Sequence, residues 1–155
     1  MEASEAEIDL RTTDVADLEQ QLRESFPGAV LIPRDHFRLR SDYVDWMVSG
    51  RKRTTIRIKH AGIDYPTDNS LPLESVPEFA SETGRSVGRV HICRLRVKPF
   101  RDLTVDDARA DGFTTREELT DALLEIYGPQ CRSDLVTIYE GFVISGRQQA
   151  ADGKR

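Results

Sequence analysis

The chain has 155 residues, 38% of them hydrophobic and 32% charged, with a formal net charge of −5. That length suits one domain with a real core, and no apolar run is long enough to span a membrane. Two distant cysteines, Cys93 and Cys131, and three scattered histidines, His36, His60 and His91, form no CxxC or Cys/His cluster. This argues against a structural zinc site and predicts neither metal nor other cofactor.

The expected organisation is a flexible, acidic segment over residues 1–12, a single domain over 13–144, and a disordered polar tail over 145–155. The N-terminus has no basic-then-apolar leader, so the expected location is cytoplasmic, with both thiols reduced. Asp14 to Phe26 reads as a helix, with Val15, Leu18, Leu22 and Phe26 on one stripe. Pro27-Gly28 ends it. Residues 28–32 read as a short apolar strand broken by Pro33.

Ser41 to Val48 reads as a second helix, with Ser41 as its N-cap and Gly50 as a left-handed C-cap. Tyr43, Trp46 and Met47 share one face. Residues 53–59 read as a strand. Thr54, Ile56 and Ile58 fall on one side, while Thr55, Arg57 and Lys59 fall on the other. Residues 60–87 read as a long irregular loop of the kind that is usually functional or mobile. Arg89 to Val97 is a strand in which arginines alternate with β-branched residues. A helix pair follows, the first opened by Thr104 with Asp107 and closed by Gly112. The second opens on a capping box of Thr114 and Glu117 and buries Leu119, Ala122, Leu123 and Ile126. Leu135 to Ile144 is a last strand, bent at Gly141. Short strands interrupted by helices, without regular βαβ alternation, predict an α+β fold: a small, strongly bent sheet or barrel with flanking helices.

The charge is segregated along the chain. Residues 1–26 and 102–127 each carry eight acids and two bases. Residues 34–60 carry eight Lys/Arg and three Asp, and residues 86–101 carry five Lys/Arg and no acid. A local basic surface attracts phosphates even on an acidic molecule. The same strands are equally read as having solvated Arg and Lys faces.

The richest stretch is Gly50-Arg51-Lys52-Arg53-Thr54-Thr55-Ile56-Arg57, a tight turn running straight into a strand. Downstream lie Phe100-Arg101-Asp102-Leu103, then Asp106-Asp107-Ala108-Arg109-Ala110-Asp111-Gly112-Phe113, and a helix ending in Tyr127. In this order, over about residues 30–144, the chain resembles the ASCH domain, of the PUA-like superfamily of small β-barrels. The resemblance implies binding of RNA or a modified nucleotide or nucleoside in a basic cleft.

One ASCH branch, the small bacterial N4-acetylcytidine amidohydrolases, has a turn similar to Gly50–Arg57. The resemblance places their lysine on Lys52, their threonine on Thr55 and their glutamate on Asp111, one methylene shorter. Arg57 matches a further cleft arginine. As an enzyme, Thr55 would attack an acyl carbonyl with Lys52 as base and Asp111 relaying a proton. As a binding module, Arg51, Lys52, Arg53 and Arg57 would contact phosphate, Trp46, Tyr43 or Phe37 would stack on a base, and Arg94, Arg96, Lys98 and Arg101 would extend the track. Each of these residues also has an ordinary structural reading, as a strand threonine, a turn lysine or a core tryptophan. Ribonuclease activity and a protein-interaction module without a nucleic-acid ligand are the remaining alternatives.

Overall fold

The computed structural model describes residues 5–77 and 84–145. What the sequence suggested for residues 1–4, 78–83 and the tail over 146–155 lies outside these.

The architecture is the expected α+β one, a curled sheet with flanking helices. Its main sheet runs in the order β3 (Phe37–Arg40), β6 (Ser70–Val76), β7 (Arg85–Pro99), β8 (Leu135–Ser145), β4 (Thr54–Ile58). A separate parallel pair joins β2 (Val30–Arg34) to β5 (Gly62–Pro66). No helix among the described residues is long and apolar enough to cross a membrane.

The start of the chain differs from expectation. Ala6–Asp9 forms β1, antiparallel to β7, with Ala6 opposite Val97 and Asp9 opposite Arg94. Ile8 is buried there and Leu10 follows it into the core, while Glu5 and Glu7 face Arg96 and Arg94. The pattern is strand-like but short, and its partners lie far along the chain.

The long irregular segment is also mostly ordered. It contains β5, buried along its whole length, and β6, whose exposure alternates over its first residues. Pro66 and Pro72 disguised both, because proline reads as a breaker. Pro33 likewise lies within β2. The Val30 N–H points to β5, so by alternation position 33 faces away from its one partner and the missing N–H breaks no ladder.

The helices follow their local chemistry. α1 (Val15–Ser25) is capped by Asp14, whose side chain accepts from the Asp17 backbone N–H at 2.9 Å. α2 (Ser41–Ser49) ends at Gly50, which takes a φ of 88°. Its N-cap is Arg40, without a side-chain cap bond, rather than Ser41. α3 (Val105–Ala110) has the Thr104–Asp107 capping box, and α4 (Arg116–Tyr127) has the same motif at Thr115 and Glu118. The one-residue offset from Thr114 and Glu117 follows from adjacent threonines facing adjacent glutamates.

β7 and β8 form the long central ladder, with a bulge between Ile92 and Arg94. Gly141 sits opposite that bulge, where a Cβ would run into the His91 carbonyl. The extra residue of the bulge lies on β7, opposite the glycine at which the sequence predicts a bend in β8.

The apolar residues divide into two cores. One joins α1, α2, β1, β5, β6 and the middle of β7. The other packs Ile56 and Ile58 of β4 with Val136 and Ile138 of β8 against Leu119 and Leu123 of α4.

Candidate functional site

The turn between α2 and β4 is fixed by two backbone hydrogen bonds. The Lys52 N–H donates to the Trp46 carbonyl at 3.0 Å, and the Arg53 N–H donates to the Ala110 carbonyl at 2.7 Å. The second bond ties the turn to the end of α3 and sets Lys52 against Asp111.

Lys52 Nζ donates to Asp111 Oδ1 at 2.9 Å, and both residues are 4% exposed. Thr54 Oγ1 donates to the same carboxylate oxygen at 3.0 Å. Burial holds the Lys52 amine below its ordinary pKa, opposed by Asp111 and assisted by the Arg57 charge. Burial also raises the Asp111 carboxyl, with Lys52 and the Thr54 hydroxyl pulling the other way. Burial thus works against the charged form of each partner, and each partner's charge supports the other's.

Beside it opens a cavity of about 330 Å³, within the usual size range of small-molecule sites. Lys52, Thr55, Arg57 and Asp111 all line it. Arg34, Arg38 and Arg40 line it from β2 and β3, and Leu119, Leu123 and Ile126 of α4 give it an apolar wall. Tyr43 and Phe113 add aromatic rings, with Lys52 Nζ 5.3 Å from the Tyr43 centroid.

The four residues read as a common cleft are therefore brought together. The proposed nucleophile and base are not bonded to each other. Thr55 Oγ1 donates to the Met47 sulfur at 3.7 Å, and the Lys52 amine is held by Asp111.

Apart from Tyr43, the other residues singled out in the sequence lie elsewhere. Arg51 stacks over the Trp46 ring at 3.6 Å and donates to the Gly112 carbonyl at 2.8 Å. Trp46 packs edge-on against Phe113, with centroids 5.6 Å apart, behind the cavity rather than in it. Arg53 is exposed, and its backbone N–H donates to the Ala110 carbonyl. Arg94 pairs with Glu7 and Glu140, and Arg96 with Glu5 and Asp107, so neither extends a cationic track into this cavity.

Several lining residues were not singled out. Arg34, Arg38 and Arg40 belong to the basic block over 34–60, and their even spacing was the available signal. Thr54 shares its strand face with Ile56 and Ile58. It is buried, but its hydroxyl orients Asp111. Among the described residues no group of His, Cys, Asp and Glu is arranged to hold a metal.

No family model matches the chain, and no curated protein sequence matches it. Among solved structures, a protein from Enterococcus faecalis described by the family model DUF984 superposes with a TM-score of 0.52. It has 16% identity and covers 85% of this chain and 93% of its own. That likeness is one of fold. Two mutant structures of ZmASCH from Zymomonas mobilis give TM-scores of 0.48 and 0.46. Their identities are 12% and 13%, with 76% and 71% of this chain and 81% and 70% of theirs covered.

Proposed function

We propose that this domain binds RNA or a modified nucleotide or nucleoside, and that the cavity beside Lys52 and Asp111 receives the base. The observation that carries this reading is the composition of that one cavity. Lys52, Thr55, Arg57 and Asp111 meet there, facing an apolar wall on α4. A nucleobase needs both surfaces: apolar and aromatic groups for its faces, and paired donors and acceptors for its edge. Asp111 and Lys52 offer an acceptor and a donor held in fixed positions. The size of the cavity favours a single unit, free or as one unpaired base, over an extended strand.

Calorimetric titration with short single-stranded RNA and with a panel of nucleosides and nucleotides tests the reading. Ala122 lines the cavity from α4, away from its polar floor. Ala122→Trp is expected to weaken binding at least about tenfold, roughly 1.4 kcal/mol, in a protein that still melts cooperatively. Undiminished binding by that variant would overturn the cavity as the site.

A second reading rests on Thr55, Lys52 and Asp111 lining the same cavity: hydrolysis of an N4-acylated cytidine. It requires the Lys52 amine to leave Asp111 for Thr55 when substrate enters. Cytidine release from N4-acetylcytidine, lost in Thr55→Ala, is the expected result. No release sinks this reading.

A further inference from the structure

The cavity is lined by five cations, and four of them already have a carboxylate partner. Arg34 meets Asp64 at 2.6 Å, Arg38 meets Glu74 at 3.3 Å, Arg40 meets Asp42 at 2.9 Å and Lys52 meets Asp111 at 2.9 Å. Arg57 is the exception. Its guanidinium donates to the Arg38 backbone carbonyl at 2.9 Å and lies 5.1 Å from the Phe37 ring centroid. Among the described residues no carboxylate lies within ion-pair distance of it. Asp111 lines the same cavity but is already bonded to Lys52 and Thr54.

The charge sum on the floor does not depend on where the shared proton sits. Lys52 and Asp111 add to zero as an ion pair and as a neutral pair alike. Among the described residues, Arg57 therefore leaves one positive charge without a carboxylate partner in a half-buried position. An unbalanced charge out of bulk water is costly unless a partner arrives. A guanidinium offers forked donors that match a phosphate, and one carbonyl uses only part of that fork.

We propose that Arg57 is the phosphate-recognition residue of the cavity, so that its ligand is a phosphorylated nucleotide unit and not a neutral nucleoside. This deepens the nucleotide-binding reading and rests on it. The apolar wall of α4 takes the base, and Arg57 takes the phosphate across the cavity. The phosphate belongs either to a free nucleotide or to the backbone of a strand.

Trp46 supplies the readout. It is the sole tryptophan, and it packs against Tyr43 and Phe113, which line the cavity. Its emission is titrated with the four ribonucleosides, their 5′-monophosphates and the matching dinucleoside monophosphates, in wild type, Arg57→Gln and Arg57→Lys. Circular dichroism melts confirm that each variant is folded. Glutamine keeps a donor for the Arg38 carbonyl without the charge, and lysine keeps the charge without the fork.

The expected result is a monophosphate at least about tenfold tighter than its nucleoside, with the gap closed in Arg57→Gln and partly kept in Arg57→Lys. A gap seen only with the 5′-monophosphates assigns a free nucleotide, and one seen only with the dinucleoside monophosphates assigns a strand. Equal affinity for the nucleoside and for both kinds of phosphorylated probe, or a gap that survives in Arg57→Gln, overturns the role of Arg57 and leaves nucleoside binding standing. No binding of any probe overturns both.

Discussion

Thr54 and Asp111, 57 residues apart in sequence, are joined by a 3.0 Å hydrogen bond, while the adjacent Thr55 turns its hydroxyl to a methionine sulfur. The two threonines are both buried but hold different partners. Thr54→Val leaves a buried carboxylate short of a donor and is expected to cost about 1.5–3 kcal/mol. Thr55→Val loses only a weak contact to sulfur and is expected to cost less than about 1 kcal/mol. Urea unfolding of both variants checks the order. Equal losses would mean that the Thr54 hydroxyl does not support Asp111.

Lys52 and Asp111 stabilise the turn only as a pair. Removing one partner leaves the other buried without its counter-charge, which typically costs about 3–5 kcal/mol. Lys52→Met and Asp111→Leu are each expected to fall in that range, and the double variant to lose clearly less than their sum. Additive losses in a denaturant cycle would show that the contact carries no coupling.

Asp107 gives the fold a defined acid response. Burial raises its carboxyl, but hydrogen bonds from Lys98, the Thr104 backbone and Arg96 outweigh this, and its pKa falls below 3.8. A carboxylate with a folded pKa below its unfolded value contributes stability that is fully present above the unfolded pKa. That contribution is lost as the pH falls through the folded value. Thermal melts from pH 7 downward are therefore expected to decline below about pH 4, and less steeply in Asp107→Asn. Parallel declines in the two proteins would assign the acid loss to other groups.

Gly112 ends α3 at a φ of +102°, and a Cβ there would sit 2.7 Å from Trp46 Cε3. Gly112→Ala meets a strained backbone and a fixed ring together, and is expected to cost at least about 1–3 kcal/mol. The displaced ring should also shift tryptophan emission. A stable variant with unchanged emission would show that neither constraint holds.

The legible parts of this chain were those settled by neighbours in sequence. Gly50 as a left-handed cap, the Thr104–Asp107 box and the alternation of β4 each need only a few residues. The meeting of Lys52 and Asp111 is not legible locally: they are 59 residues apart, and no local rule joins them. What was misread depended on remote partners. Arg94 and Arg96 looked like a free cationic track because Glu7 and Glu5, which face them, lie near the start of the chain. β5 was mistaken for loop because a strand buried at every position shows no alternation.

The placement of β1 has a consequence for how the chain assembles. Glu5 and Arg96, which its pairing brings together, are separated by 91 residues. Synthesis from the N-terminal side therefore produces β1 long before β7 exists to pair with it. Joining it to β7 closes a very large loop, the kind of non-local contact that slows folding. Until then Ile8 and Leu10 are apolar residues without a core, and the half of β7 from Arg94 to Val97 has an open edge. The docking of four residues at one end thus completes a sheet whose other strands lie far downstream.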